Sequence, residues 1–384
     1  MSANNTFDAV VIGAGVFGAW IGTFLQRSGR RVLLLDQYGP GNARASSGGE
    51  SRIIRMGYGL DELYTRWSMR SLPAWEELDA RSGARLFHRT GVLWIAPKYH
   101  VNTVETLETL KRIGVAIDEF TGDELRRRYP QISVERDWFG FLEPKSGTIM
   151  ARRAVEWVVS EAVRKGANYR TELVETPRGE RRLTSVRTRS GENLSADVFV
   201  FACGPWLPVV FPELLGERIF PTRQEVFFFG VPAGDARFAP PALPTFLDRA
   251  TEYYGMPSLE SRGLKVACDD HGDRADPDLQ ERVPGAAKIA SAREYVAKRF
   301  PALASAPIVE ARVCQYENTS SGDFLIDRHP GFDNVWLVGG GSGHGFKHGP
   351  ALGEYVAERI NAGGAVDPRF SLATKRTVQA RTVF

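Results

Sequence analysis

Three glycines, Gly13, Gly15 and Gly18, fall at G-x-G-x-x-G spacing between an apolar run, residues 9–12, and an amphipathic run, 19–27, that Gly29 closes. Glycine is needed at each place for a different reason. Gly13 turns the chain tightly, Gly15 lets the backbone approach a pyrophosphate, and Gly18 lets a helix pack closely on a strand. A helix that starts here turns free N–H groups and a partial positive charge toward phosphates. The next apolar run, 31–35, ends in Asp36, close to the ~20-residue separation at which this fingerprint places an acid for the adenosine ribose. Glycine spacing alone is weak evidence. Strand, glycines, helix, strand and acid in that order predict a dinucleotide site.

Two further stretches are rich in groups that could meet such a ligand. Residues 39–55 form a small-residue loop carrying Arg44, Ser46, Ser47, Arg52 and Arg55. A loop just beyond a strand's carboxyl end faces the ligand crevice, so the serines could bond phosphate or ribitol oxygens. The alternative is that Ile53 and Ile54 pack while the arginines are solvated. Near the other end, GGGSGHGFKHGP (339–350) gathers Gly341, Gly343, His344, Gly345 and Lys347. So many glycines in an ordinary loop would be entropically wasteful, and backbone N–H groups presented to a ligand account for them. His344 and His348 flank Lys347, but no third ligand has metal-site spacing, and no metal is expected.

Regular elements must hold these residues. Runs 9–12 and 31–35 predict buried parallel strands. Residues 63–78 have helical periodicity, with Leu63, Trp67, Leu72 and Trp75 on the buried stripe. A strand is expected over 90–96 and helices over 104–113, 122–129 and 151–165, with 139–147 aromatic and turn-rich. ADVFVFACGPW (196–206) predicts a strand arriving beside the first and stopping at a Gly-Pro turn. Residues 225–232, 251–256 and 263–268 read as strands with few helices between them, an antiparallel pattern unlike that of the N-terminus. A helix over 286–300 precedes the strand 334–338, the glycine loop and a helix over 351–360. The chain thus opens and closes with strand, glycine loop, helix. Residues 369–384 read as a tail or packing arm.

The 384 residues are 43% hydrophobic and 25% charged, with no low-complexity tract, and suit a two-domain globular enzyme. A net charge of +3 with dispersed arginines gives no reason to expect nucleic acid. No apolar run reaches membrane-spanning length. The polar start argues against a signal peptide and for the cytoplasm, where Cys203, Cys268 and Cys314 would stay reduced.

With these segments in view, the chain resembles the monomeric sarcosine oxidase family, within the D-amino-acid-oxidase-like flavoproteins. The resemblance rests on VVIGAGVFG, GESRIIRMGYG (49–59), TGVLWIAP, YYGMPS with GLK (253–265), RVCQY (312–316) and GSGHGFK (341–347), in that order. It implies FAD, and an α/β fold with a glutathione-reductase-type FAD-binding domain (1–80, 150–220 and 310–384). A mixed, mainly antiparallel substrate domain (81–149 and 221–309) is interleaved with it. It implies flavin attachment at Cys314, a substrate carboxylate gripped by Arg52 and Lys347, oxygen activation at Lys265 and a cavity wall at Tyr254. Taken alone, Lys265 reads as a solvated strand-end lysine, and only the resemblance reverses that. Two departures are visible: Gly48 replaces a histidine and so opens space over the ring, and Asp269 replaces a cavity histidine, with His271 nearby. The expected function is FAD-dependent oxidation of a secondary or N-methylated amino acid to an imine that hydrolyses, with oxygen reduced to hydrogen peroxide by a monomer. A dehydrogenase passing electrons to a carrier is the nearest rival, and a flavin-binding protein without turnover is the rival from another class.

Overall fold

A computed structural model describes residues 6–270 and 272–380. A seven-stranded sheet runs in the order Leu325–Arg328, Val335–Gly339, Asn193–Phe201, Thr6–Ile12, Val32–Asp36, Asn168–Thr171, with Ser185–Arg187 paired to Asn193–Phe201 off this path. Four of the five pairings along this path are parallel, and the first strand lies between Asn193–Phe201 and Val32–Asp36 in the expected positions. These strands are apolar without alternation because both faces are covered. Val10, Leu33, Phe199 and Leu337 pack on one face; Ala9, Val11, Leu34 and Val338 pack on the other.

On the second face lie helices Val16–Arg27, Ala151–Arg164 and Gly349–Ala362. Helix Gly349–Ala362 lies directly on the first helix, because a Cβ at Gly349 or Gly353 would press into Trp20 at 2.7 Å. Helix Glu62–Ser82 starts at its Asp61 cap, ends at Gly83 in the left-handed region (φ 63°), and stacks Trp75 on Phe346.

The second sheet has eight strands, ordered Ile308–Asn318, Phe220–Phe229, Leu264–Cys268, Tyr253–Met256, Thr245–Asp248, Val92–Pro97, Trp138–Glu143, Asp118–Thr121. Every pairing in it is antiparallel except Thr245–Asp248 with Val92–Pro97, so it is mixed as expected. The turn-rich reading of 139–147 gives way to the strand Trp138–Glu143, which Phe141 fixes by stacking on Trp94. Strand Ile308–Asn318 belongs to this sheet, although it leads into the glycine loop of the other. The C-terminal segment is a packing arm: Phe370 is buried against Trp67, and Arg369 pairs with Asp61 and Asp323. Residues 381–384 lie outside the described residues.

Candidate active site

A cavity of about 500 Å³ lies along the carboxyl ends of the parallel strands, lined by Gly13, Gly15, Asp36, Ser46, Arg52 and the loop 341–346 among others. Gly13 has φ 102°, and a side chain there would collide with the Ala202 carbonyl. A side chain at Gly18 would collide with Gly13 in turn, so the helix approaches the turn this closely only because Gly18 has none. At Gly15 the nearest atom to a Cβ would be Ser47 Oγ at 3.5 Å, which leaves the backbone open to the cavity. Ser47 Oγ accepts from Val16 N at 3.1 Å and caps the helix. Asp36 accepts from Ala14 N (2.9 Å), Tyr38 N (2.9 Å) and Gly39 N (3.0 Å), tying the glycine turn to its own strand end. Burial pushes its carboxyl up. Ser46 Oγ is buried without a hydrogen-bond partner on the cavity wall. An open glycine turn at a helix start and an orphaned hydroxyl fit the pyrophosphate and polar chain of a dinucleotide.

The cavity mouth is strapped by a segment remote in sequence. Asp278 accepts from Tyr38 Oη (2.8 Å) and Trp206 Nε1 (2.9 Å), and all three residues line the cavity.

Cations gather at the inner end. Arg52 donates to the carbonyls of Ser51 (2.8 Å) and Ser46 (2.7 Å) and lies 3.3 Å from Cys314 Sγ. Lys265 is 2% exposed and donates to Ser51 O (2.9 Å) and Oγ (3.1 Å). Burial, with Arg52 adding, holds its ammonium well below the usual lysine range. The solvated reading therefore fails: Leu264–Cys268 has a strand on each side, and Lys265 points inward.

Lys347 donates to His344 O at 3.0 Å, with Nζ 4.9 Å from the centre of the Tyr58 ring. The Arg55 guanidinium carbon lies 4.4 Å from the same centre. Burial first, then Arg55, holds Lys347 well below the usual range. The Tyr58 hydroxyl is held by His348 Nε2 (2.8 Å) and His344 Nδ1 (3.2 Å). Between the two cation groups, Tyr316 Oη donates to Asp269 Oδ1 at 3.0 Å. The neighbouring Tyr254 hydroxyl is pushed up to about 12 by burial, despite Arg52.

Of the residues expected to hold the cofactor, Gly13, Gly15, Asp36, Ser46, Gly343 and Gly345 line the cavity, while Gly18 supports the turn from behind. Three expectations need correction. The structure pairs Lys347 with Arg55 rather than Arg52, whose guanidinium is committed to the Ser46 and Ser51 carbonyls beside Cys314. His344 turns away from the cavity, stacking on Phe324 and meeting Tyr58 and the Gly322 carbonyl. Gly48 opens no space, because a side chain there would run into Asn42. His271 lies outside the described residues. Sequence reasoning missed Tyr58, Glu143 and Glu317. Glu143 accepts from Met56 N, Gly57 N, Trp94 Nε1 and Ser146 Oγ and so fixes the turn after Arg55. Nothing local marks these residues, since most of their partners lie far along the chain. Among the described residues, no three His, Cys, Asp or Glu side chains cluster as a metal site, and no helix is long and apolar enough to cross a membrane.

Comparison with known proteins gives the family of the chain. The chain is 31% identical over 365 residues to the monomeric sarcosine oxidase of Bacillus sp. (strain NS-129), covering 93% of each chain. It is 32% identical over 362 residues to the peroxisomal sarcosine oxidase of Homo sapiens, covering 92% of this chain and 91% of that one. The L-proline dehydrogenase of P. horikoshii shares the fold at a TM-score of 0.82 and 21% identity, over 95% of this chain and 96% of that one. A family model described as FAD dependent oxidoreductase matches residues 8–359, from the first strand through the glycine turn to the helix behind Lys347, and the chain belongs to that family.

Proposed function

We propose that this FAD-dependent oxidoreductase oxidises a secondary or N-methylated amino acid to an imine that hydrolyses, with oxygen as the acceptor and hydrogen peroxide as the co-product. The observation that carries the substrate class is the pair Arg55 and Lys347, two buried-side cations over one tyrosine ring. Like charges so placed repel; Asp269 and Glu143 offset part of this at Lys347, and a substrate carboxylate supplies the rest. Arg55 donates one Nη1 N–H to the Gly57 carbonyl and keeps its other N–H groups for a carboxylate, while Lys347 is a point charge, so together they orient the amino acid as well as bind it. Tyr58, fixed through its hydroxyl by two histidines, is the platform that keeps both cations in place. Tyr254, Tyr316 and Asp269 lie between this pair and Arg52, where the Asp269 carboxylate suits a second polar group on the substrate.

FAD, when bound, supplies the two-electron acceptor. Gly13, Gly15, Ser46 and the loop 341–346 would hold it, and Arg52 places positive charge at the inner end of its cavity. Cys314 is the attachment point in this reading, supported by a free thiol beside Arg52. Lys265 serves the oxygen side, as a buried ammonium next to Arg52. Residues 1–80, 150–220 and 310–384 form the FAD unit and 81–149 with 221–309 the substrate unit, a division that sheet membership supports except at Ile308–Asn318 and at a three-stranded sheet in which Arg52–Ile54 pairs with Gly147–Ile149. Monomeric relatives support a monomer. Three unpaired cysteines suit the cytoplasm.

The test is anaerobic reduction of the flavin by a panel of N-methyl, cyclic and glycated amino acids and their decarboxylated counterparts. Bleaching by secondary amino acids, followed by peroxide release in air, is the expected result. Bleaching without fast reoxidation in air would favour the carrier-linked dehydrogenase, and no bleaching by any member would remove the amino-acid reading.

A further inference from the structure

Glu317 is a buried carboxyl that the reaction above leaves unused. It sits near the end of strand Ile308–Asn318, is 6% exposed, and lines the cofactor cavity beside Cys203 and Gly204. Glycines make the room for it. A side chain at Gly339 would overlap Oε1, and one at Gly204, which has φ 56°, would stand 3.4 Å from Oε2. Oε1 accepts the Gly340 N–H, presented by a residue at φ 68°. No hydrogen bond within the described residues engages Oε2, which leaves it for whatever fills the cavity.

The surroundings decide its charge. From the strand Val335–Gly339 and its following turn comes only the Gly340 N–H. From strand Phe220–Phe229 comes Pro221, its uncharged register partner. From the turn at 203–206 comes the Cys203 thiol, itself raised by burial with Asp36 and Glu317 adding. No arginine, lysine or histidine is among the groups acting on Glu317, and burial pushes its carboxyl up to about 8. A carboxylate left there would face a ligand with a dianionic pyrophosphate and several ring acceptors, without a counter-ion.

We propose that Glu317 binds FAD as a neutral carboxylic acid, Oε1 accepting from Gly340 N and Oε2–H donating to an acceptor atom of the cofactor. Losing that proton to solvent removes the donor and leaves an unpaired anion in the cavity, so cofactor affinity is linked to pH.

Full-length protein carrying Cys314→Ser, which makes retention reversible whether or not the tether forms, is titrated with FAD between pH 6.5 and 9.5 by flavin fluorescence. The Kd should rise toward tenfold per pH unit above about pH 8. Glu317→Gln keeps the acceptor for Gly340 and offers an amide donor that does not ionise, so its Kd should stay flat across the range. Glu317→Leu, with its fold checked by circular dichroism, should bind FAD at least tenfold more weakly at pH 7. A flat profile with Glu317 in place would overturn the proposal, because an ionised carboxylate would then be accepting from a ribityl or ribose hydroxyl. The same slope in the Gln variant, or full affinity in a folded Leu variant, would overturn it equally. If the Leu variant does not fold, the Glu-against-Gln profiles decide.

Discussion

The Lys347 ammonium and the Arg55 guanidinium share one aromatic ring, that of Tyr58, at 4.9 and 4.4 Å from its centre. Cation–π contact offsets part of the cost of bringing both charges out of water. The remainder is left for an anion. Arg55→Ala should therefore weaken substrate binding by about 2–5 kcal/mol, read as a raised KM or a lost spectral perturbation by small carboxylates. Amines lacking the carboxylate should be poor substrates for the wild type and nearly unaffected by the substitution. Equal flavin reduction by an amino acid and its decarboxylated counterpart would sink the clamp.

The same site predicts a trade between function and stability. Lys347 is protonated in the unfolded chain up to its ordinary value of 10.5, whereas burial holds its folded value well below that. Its penalty on folding is therefore complete below the folded value and fades as pH rises toward 10.5. Lys347→Met should stabilise the substrate-free protein, by on the order of 1–3 kcal/mol at neutral pH, while abolishing carboxylate binding. The gain should shrink between pH 7 and pH 10 in thermal unfolding, and a gain that grows with pH would contradict the assignment.

Lys265 gives a kinetic prediction. Lys265→Met should slow reoxidation in air by about 10²–10³ while leaving anaerobic reduction by substrate largely intact. Because burial lowers the folded value of Lys265, its positive charge is present at low pH and lost as pH rises through that value. Wild-type reoxidation should slow over the same span, and the Met variant should show no such dependence. Stopped-flow traces with unchanged reoxidation would take Lys265 out of the reaction.

Cys314 lies 3.3 Å from the Arg52 guanidinium, and the tether reading is tested on the isolated protein. Acid-precipitated wild-type protein should stay yellow, and Cys314→Ser should release free FAD to the supernatant. Flavin lost from the wild type on precipitation would rule out the tether.

How much of this was legible in the chain depends on the distance between partners. The dinucleotide half was readable because its signal is local: Gly13, Gly15, Gly18 and Asp36 lie within one strand-helix-strand unit, and 196–201 carried the apolar run of a parallel neighbour. The substrate side was not. Arg52 and Arg55 stand three residues apart in one short segment, yet one turns to Cys314 and the other to Tyr58. Only tertiary packing distinguishes them: the Ser46 and Ser51 carbonyls hold the first, and Glu143, far along the chain, fixes the turn after the second. Lys265 misled for a related reason, since a strand's sequence does not say whether a neighbour lies on each side of it. Glu317 carries no sequence signal, because the glycines that make room for it come from two other segments.

The order of strands in the parallel sheet also has a consequence for biosynthesis. The strands that flank the cofactor cavity come from residues 6–36, 193–201 and 335–339, and the last wall, 341–346, comes from nearly the end of the chain. At ~5–20 residues per second, synthesis of this chain takes roughly 20–80 s, and for about half of that time the glycine turn has no neighbouring strand at 193–201 to close against. The nascent N-terminal half therefore holds out an unpaired apolar strand edge while the ribosome works. The cavity has all its walls only once residues 341–346 have been made, so limiting FAD during expression should lower the soluble fraction of the finished chain.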